Sequence, residues 1–296
     1  MTNESHLHSG ADRGAWDPSS TIPRRGPLKP VSVDGFWIHD PSSDATRSLP
    51  NSSIATGYVT VAERPLNPAD YPDAPPENLQ PGSMVFTRTR GPVDLRHLSQ
   101  WWTWTPGASW RHPVGAALVD RQDGPIIRWF MSRTRTPSPM RSGRVSSLPT
   151  EAEWEAAARG GLERCRRTRG ATNPSSPVSG SPTTGTAISR GVPSRGYGRT
   201  TPVGSFPPNG YGLLDMAGNV WEWTTDWYAD TRAGDPCCEA GSYDPRQPQF
   251  RVPRKVVKGG SFLCADNYCL RYRPAARRPQ PVDTGMSHIG FRCVKR

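Results

Sequence analysis

One stretch, LPTEAEWEAAARGG from Leu148 to Gly161, spells a helix together with both of its ends. Thr150 and Glu153 form a capping box, in which each side chain satisfies the other's backbone N–H. Gly160 follows as the stop, since glycine adopts the left-handed conformation that closes a helix. The other coherent text is of a different kind. PVSVDGFWI (Pro30–Ile38) alternates like a strand, and NGYGLLDMAGNVWEWTTDWY, KVVKGGSFLC and SHIGFRCV combine turn glycines with aromatic and β-branched residues. A short helix among short strands and ordered loops predicts an α+β fold low in regular secondary structure.

Between these pieces lie HDPSSDATRSLPNSS, MSRTRTPSPMRSGRVSS and ERCRRTRGATNPSSPVSGSPTTGTAISRGVPSRG. They are poor in apolar residues, have no period and read as linker or disordered text. Long structureless insertions inside a compact domain are uncommon, which directs attention to the genetic code. Trp and Met each have one codon, so Trp129, Met131 and Met140 pin the DNA beneath Ile126–Leu148. A two-base shift of frame there permits HPVVHVSYEDALAYA and then WAGK, a strand and an amphipathic helix running into Thr150. The same offset restores foldable text over Ala45–Ser53, over Arg164–Pro174 and from Pro182 onward. The chain therefore reads as a translation in which residues of about 40–54, 121–147 and 163–199 are out of frame. Residues 1–29 form a polar tail and 30–296 a single domain.

That reading bears on charge. A formal +11 raises nucleic-acid binding, because clustered Lys and Arg neutralise phosphates. Here the arginines concentrate in the anomalous stretches, so no nucleic-acid partner is expected. No apolar run approaches the ~20 residues that cross a bilayer, and MTNESHLHSGADRGAW lacks a secretory apolar region. A soluble, cytoplasmic chain with no membrane partner is expected.

The six cysteines, at 165, 237, 238, 264, 269 and 293, contain no CxxC and are too few for a disulfide-built scaffold. Cys264 and Cys269 stand five residues apart in KGGSFLCADNYCLRYRPAARRP. That spacing does not put both on one helix face, whereas a loop after Gly259 and Gly260 can bring the sulfurs together. From spacing alone the pair reads first as a local disulfide or as two unrelated buried thiols, with a metal site or a reactive pair as the alternatives. Ser261 reads as a turn serine or as a hydrogen-bond donor to the same site. Arg271 and Arg273 alternate about Tyr272 as on a strand, facing one side, which is either solvated and ion-paired or turned to a ligand. The histidines form no spaced cluster, against a zinc or non-haem iron site. Trp101, Trp102, Trp104 and Trp110 read as core and loop anchors, and Cys293 as a buried strand cysteine.

Seven segments in order resemble the formylglycine-generating enzymes, or sulfatase-modifying factors. They are DGFWI, ATGYVTVAERPL, GPVDLRHLSQWWTWTPGASWRHP, LPTEAEWEAAARGGL, TPVGSFPPNGYGLLDMAGNVWEWTTDWY, KVVKGGSFLCADNYCLRYRPAAR and SHIGFRC. They cover about 60% of the chain. LPTEAEWE, GNVWEW, GGS and GFRC belong to the broader superfamily and imply its formylglycine-generating-enzyme, C-type-lectin-like fold. The cysteine pair together with ATGYVTVAE resembles the oxidases within it. That resemblance implies that Cys264 and Cys269 are the active-site pair and hold Cu(I), with Ser261 in the site; the shared side of Arg271 and Arg273 is then expected to face the substrate. The implied reaction oxidises a cysteine in a C-x-P-x-R segment of a sulfatase polypeptide to formylglycine, using dioxygen and a thiol reductant.

The resemblance also implies a Ca²⁺ site in DMAGNVWE, through the side chains of Asp215 and Glu222 and the backbone carbonyls of Gly218 and Val220. Hard carboxylates with loop carbonyls suit that ion, and the plain alternative is a turn with exposed acids. A second family calcium loop would fall in out-of-frame text and receives no residues. The family's opening G-G-x-F-x-M-G strand is also missing. Polar text cannot replace the core surface of such elements, so the chain as written is expected to fold poorly. Two other outcomes stay open: a noncatalytic, lectin-like binding protein, and the inactive product of a frameshifted gene.

Overall fold

The computed structural model describes residues 31–33, 35–38, 59–89, 93–94, 97–109, 112–115, 147–161, 200, 208–230, 239–248, 251–264 and 271–296. Of the stretches read as out of frame, only Ser147 is among them. The frame reading, the 1–29 tail, Trp110, Cys165, Cys237, Cys238 and Cys269 lie outside the described residues.

Helix α1 spans Glu151–Arg159, where the capping signals predict it. Thr150 N donates to Glu153 Oε2 at 2.7 Å, and Glu153 N donates to Thr150 Oγ1 at 3.2 Å. Gly160 closes the helix at φ +60, and a Cβ there would meet Gly210 N at 2.8 Å. Glycine is thus required twice over, for handedness and for the close approach of the NGYG turn. A second capping pair, in ATGYVTVAE, has Thr60 N donating to Glu63 Oε2 at 2.9 Å and orders a single 3-10 turn.

The strands are short. They are β1 (Val31–Val33), β2 (Phe36–Ile38), β3 (Gly82–Phe86), β4 (Trp102–Pro106), β5 (Trp221–Trp227), β6 (Arg254–Lys258), β7 (Arg278–Pro281), β8 (Ile289–Gly290) and β9 (Val294–Lys295). They pair as three small sheets, in the orders β1-β2-β9, β3-β4 and β7-β6-β5-β8, with only β5 and β8 parallel. Isolated bridges join Met84 of β3 to Met286, ahead of β8, and Ser147, ahead of α1, to Val294 of β9. This is the α+β arrangement expected, with little regular structure and most of the described residues in loops and turns.

Trp154, Ala157 and Ala158 lie on one face of α1 and pack against Val33, Phe36, Ile38, Leu213, Met216 and Val294. The i, i+3, i+4 spacing puts these side chains over the β1-β2-β9 sheet. The next face of the same helix carries charge. Lys258 at the end of β6 is 0% exposed, with Nζ 3.1 Å from Glu151 Oε1 and 3.3 Å from Glu155 Oε2. Burial holds the Lys258 ammonium below its ordinary range, and the two glutamates offset that only in part. Arg277 closes the cluster at 2.8 Å from Glu151 Oε2. Buried charges persist only when paired, so this cluster fixes α1 on the central sheet. In β5, Trp221 to Thr224 are all buried, as expected of a strand covered on both faces.

Candidate active site

The chain leaves β6 through Gly259 and Gly260, at φ +92 and +74. A Cβ at Gly259 would come 3.0 Å from Trp154 Cζ2, and one at Gly260 would come 2.8 Å from Tyr272 Cα. The second contact is with backbone and cannot yield by a rotamer change. Gly260→Ala is therefore expected to destabilise the chain by more than about 2 kcal/mol in denaturant unfolding, combining left-handed strain with a clash. A loss under about 0.5 kcal/mol would contradict the described turn.

Ser261 and Cys264 follow in a tight turn. Cys264 N donates to Ser261 O at 2.9 Å, and the Ser261 hydroxyl accepts from Leu263 N at 3.3 Å. The turn role of Ser261 is thus present, and its acceptor bond leaves the hydroxyl hydrogen to be used elsewhere. Cys264 is 3% exposed and packs among Leu148, Trp221, Trp223, Val257 and Ile289, with Tyr272 and Met286 at the edge. Its sulfur therefore sits in an apolar wall, and as a soft donor it is of the kind that holds Cu(I). Cys269, its partner by sequence, lies outside the described residues.

Arg271 and Arg273 depart from the strand expected of them. Residues 271–275 are turns, Ala276 N donates to Arg273 O at 2.9 Å, and β7 begins only at Arg278. Pro274 has no N–H to give to a ladder, which accounts for the turn. The alternation survives nonetheless, with Tyr272 packed at the edge of the Cys264 cluster and both arginines exposed. Cys293 also departs from expectation. It is half-buried between β8 and β9, because Arg292 and Val294 take the two inward positions on either side of it.

The DMAGNVWE loop lies directly against the cysteine turn. Gly218 N donates to Gly259 O at 2.7 Å, and Phe262 N donates to Asn219 O at 2.9 Å. Asp215 and Asn219 adopt left-handed conformations at φ +53 and +57, which these short polar residues tolerate. Asp215 and Glu222 are both buried, so the plain turn with exposed acids does not describe this loop.

Glu222 Oε2 accepts from Trp154 Nε1 at 2.7 Å and from Arg292 Nε at 2.6 Å, and Oε1 accepts from Arg292 Nη2 at 2.7 Å. Arg292 Nη2 also reaches the carbonyls of Leu214 and Asp215, at 3.2 and 3.4 Å. Three of the roughly four lone-pair positions of the carboxylate are used, leaving one on Oε1. The donor set thus fits a hard cation with Glu222 as a single-oxygen ligand. Among the described residues no group of three or more His, Cys, Asp or Glu side chains gathers, so backbone carbonyls would have to complete such a site.

Trp101 and Trp102 are buried anchors, as expected, with Trp102 edge-on to Phe86 at 5.9 Å. The residue that sequence reasoning missed is His288. It is 1% exposed, and its ring lies 4.6 Å from that of Trp102. Burial first, and the nearby Arg278 charge second, hold its imidazole well below the ordinary 6.5. The unfolded chain therefore takes up a proton near pH 6.5 that the folded chain refuses. Stability is expected to fall as pH drops below about 6.5, at up to ~1.4 kcal/mol per pH unit from this group. Thermal melts at pH 7.5 and 5.5 check this, with His288→Leu expected to lessen the difference; equal pH dependence in both proteins would contradict it.

Residues 8–296 match the family described as the sulfatase-modifying factor enzyme 1-like domain. Over 296 residues the chain is 44% identical to the formylglycine-generating enzyme of Mycobacterium tuberculosis, covering 95% of each chain. It is 38% identical over 273 residues to that of Thermomonospora curvata, covering 91% of this chain and 84% of that one. It is also 32% identical over 215 residues to the inactive C-alpha-formylglycine-generating enzyme 2 of Mus musculus, covering 71% of this chain and 62% of that one.

Proposed function

Because the chain belongs to the formylglycine-generating-enzyme family of sulfatase-modifying factors, we propose that it matures sulfatases by converting a cysteine in a C-x-P-x-R segment to formylglycine. The observation that carries this reading is Cys264, buried in an aromatic wall at the tip of a two-glycine turn that is hydrogen-bonded to the DMAGNVWE loop. Cys264 and Cys269 would hold Cu(I), which two soft thiolates suit while leaving room for the substrate sulfur. Bound there, copper supplies the one-electron chemistry that lets dioxygen oxidise the carbon next to that sulfur. The balance is one dioxygen, one peptide thiol and two reductant thiols giving an aldehyde, hydrogen sulfide, water and a disulfide.

The remaining roles follow from position. Ser261 would set the turn that presents Cys264, and Arg271 and Arg273, both exposed, would receive the incoming peptide. Asp215 and Glu222, with the carbonyls of Gly218 and Val220, would hold Ca²⁺ and stiffen the loop on which the cysteine turn rests.

The similarity to a relative described as inactive keeps a noncatalytic, binding role as the second reading. Oxygen uptake separates the two. Uptake is expected only when copper-loaded chain, a C-x-P-x-R peptide and a thiol reductant are all present, and no uptake with the complete mixture overturns the oxidase reading.

A further inference from the structure

Both ring nitrogens of His288 are buried with no hydrogen-bond partner among the described residues, and a buried polar group left so calls for an explanation such as a bound ion. The imidazole lies on a wall that also carries two thioethers. Met84 N donates to Gly285 O at 2.9 Å, and Ser287 N donates to Met84 O at 3.0 Å. These bonds pair Met84 with Met286 in a parallel bridge, so the two side chains leave on the same face. Phe86 follows Met84 by two residues in β3 and Trp102 stands opposite Phe86, which puts their rings on that face as well. The His288 ring lies 4.6 Å from that of Trp102, and Phe86 N donates to Ser287 Oγ at 3.0 Å, which holds the Met286–His288 segment against the strand. Both methionines pack on the cluster of Phe86, Trp101, Trp102 and Phe262, and Met286 packs on that of Cys264 too. Two soft sulfurs and an unsatisfied nitrogen thus share one wall that adjoins the proposed reactive thiol.

We propose that Met84, Met286 and His288 form a second Cu(I) site, through which the metal passes on its way to Cys264. Thioethers select Cu(I), and a neutral imidazole completes a low-coordinate set without adding charge. Burial keeps the His288 ring neutral, so a nitrogen lone pair is available. Both methionines are half-buried, which leaves an edge at which the ion enters while the imidazole stays inside. The set has no anionic ligand and the nearby Arg278 charge opposes a resident cation, so the site holds Cu(I) weakly and gives it up. In the transfer copper keeps its single charge, a bond to the Cys264 sulfur replaces those to the neutral donors, and the thiol proton leaves to solvent. The inference rests on the Cu(I) reading of Cys264.

The chain has six methionines, so a carbon-13 methyl spectrum of labelled Cys264→Ser protein tells these two from the rest. Ag(I) serves as the redox-inert stand-in for Cu(I), added beyond saturation of the remaining thiols. The Met84 and Met286 signals are expected to shift together while the others stay, and His288→Leu should raise the Ag(I) concentration required about tenfold or more. With Cys264 intact, Met84→Leu combined with Met286→Leu should slow Cu(I) uptake from a small-thiol complex about tenfold. Final Cu(I) affinity and Tm should stay as in wild type, because leucine keeps the volume of methionine. Signals that do not move, or that move identically in His288→Leu, overturn the site, and an unchanged uptake rate overturns the transfer. Signals that move as expected in a chain that takes up no Cu(I) at Cys264 support the site and overturn the copper reading of the cysteine instead. Should His288→Leu fail to fold, the double leucine variant decides alone.

Discussion

Cys264→Ser is expected to lose both Cu(I) binding and peptide oxidation while remaining folded. Serine is nearly isosteric, but its hydroxyl is a hard donor that does not hold Cu(I) against a competing ligand. The residue is 3% exposed, so the new hydroxyl enters an apolar wall at a cost of roughly 1–3 kcal/mol unless it finds a partner. For a chain of this length that corresponds to a fall in Tm of roughly 2–12 °C, not to unfolding. Activity should fall by at least ~10³-fold, about 4 kcal/mol in the barrier. Competition against a chromogenic Cu(I) chelator reads the metal, and aldehyde formation reads the chemistry. A variant that still competes for copper, or still makes aldehyde, removes Cys264 from the role assigned to it.

The largest stability effect is expected at Glu222. Its carboxylate holds Arg292 through two hydrogen bonds and accepts a third from Trp154, and the Arg292 side chain is 0% exposed. Glu222→Ala leaves that guanidinium buried without a counter-charge and orphans the indole N–H, at a cost of about 3–5 kcal/mol. The expected Tm loss is about 10 °C or more. Glu222→Ala with Arg292→Met should recover most of it, because removing both charges avoids the unpaired one. Urea unfolding measures all three variants, and a single-variant loss below about 1 kcal/mol would mean that the pair is not buried as described.

Local signals carried much of this fold into view. The Thr150–Glu153 capping box, the Gly160 stop, the Gly259–Gly260 turn and the aromatic strand at WEW act over a few residues, and all appear where those signals put them. The alternation of Arg271 and Arg273 about Tyr272 has the look of a strand, but Pro274, with no N–H to donate, turns the chain there. The GFRC motif suggests a buried Cys293, whereas the inward positions of Arg292 and Val294 leave it half-buried. What could not be read were pairings across long separations. Glu222 and Arg292 stand 70 residues apart and Lys258 and Glu151 107, so neither ion pair leaves a periodic trace. His288 sits in a recognised motif, yet its burial against Trp102 exists only after β4 and β8 come together.

The account rests on one reaction, which mass analysis of the peptide itself tests most directly. A synthetic C-x-P-x-R peptide incubated with copper-loaded chain, dioxygen and a thiol reductant should yield an aldehyde at the cysteine position that a hydrazide reagent captures, and Cys264→Ser should yield none. Peptide recovered unchanged, or altered only to its disulfide, would contradict the assignment.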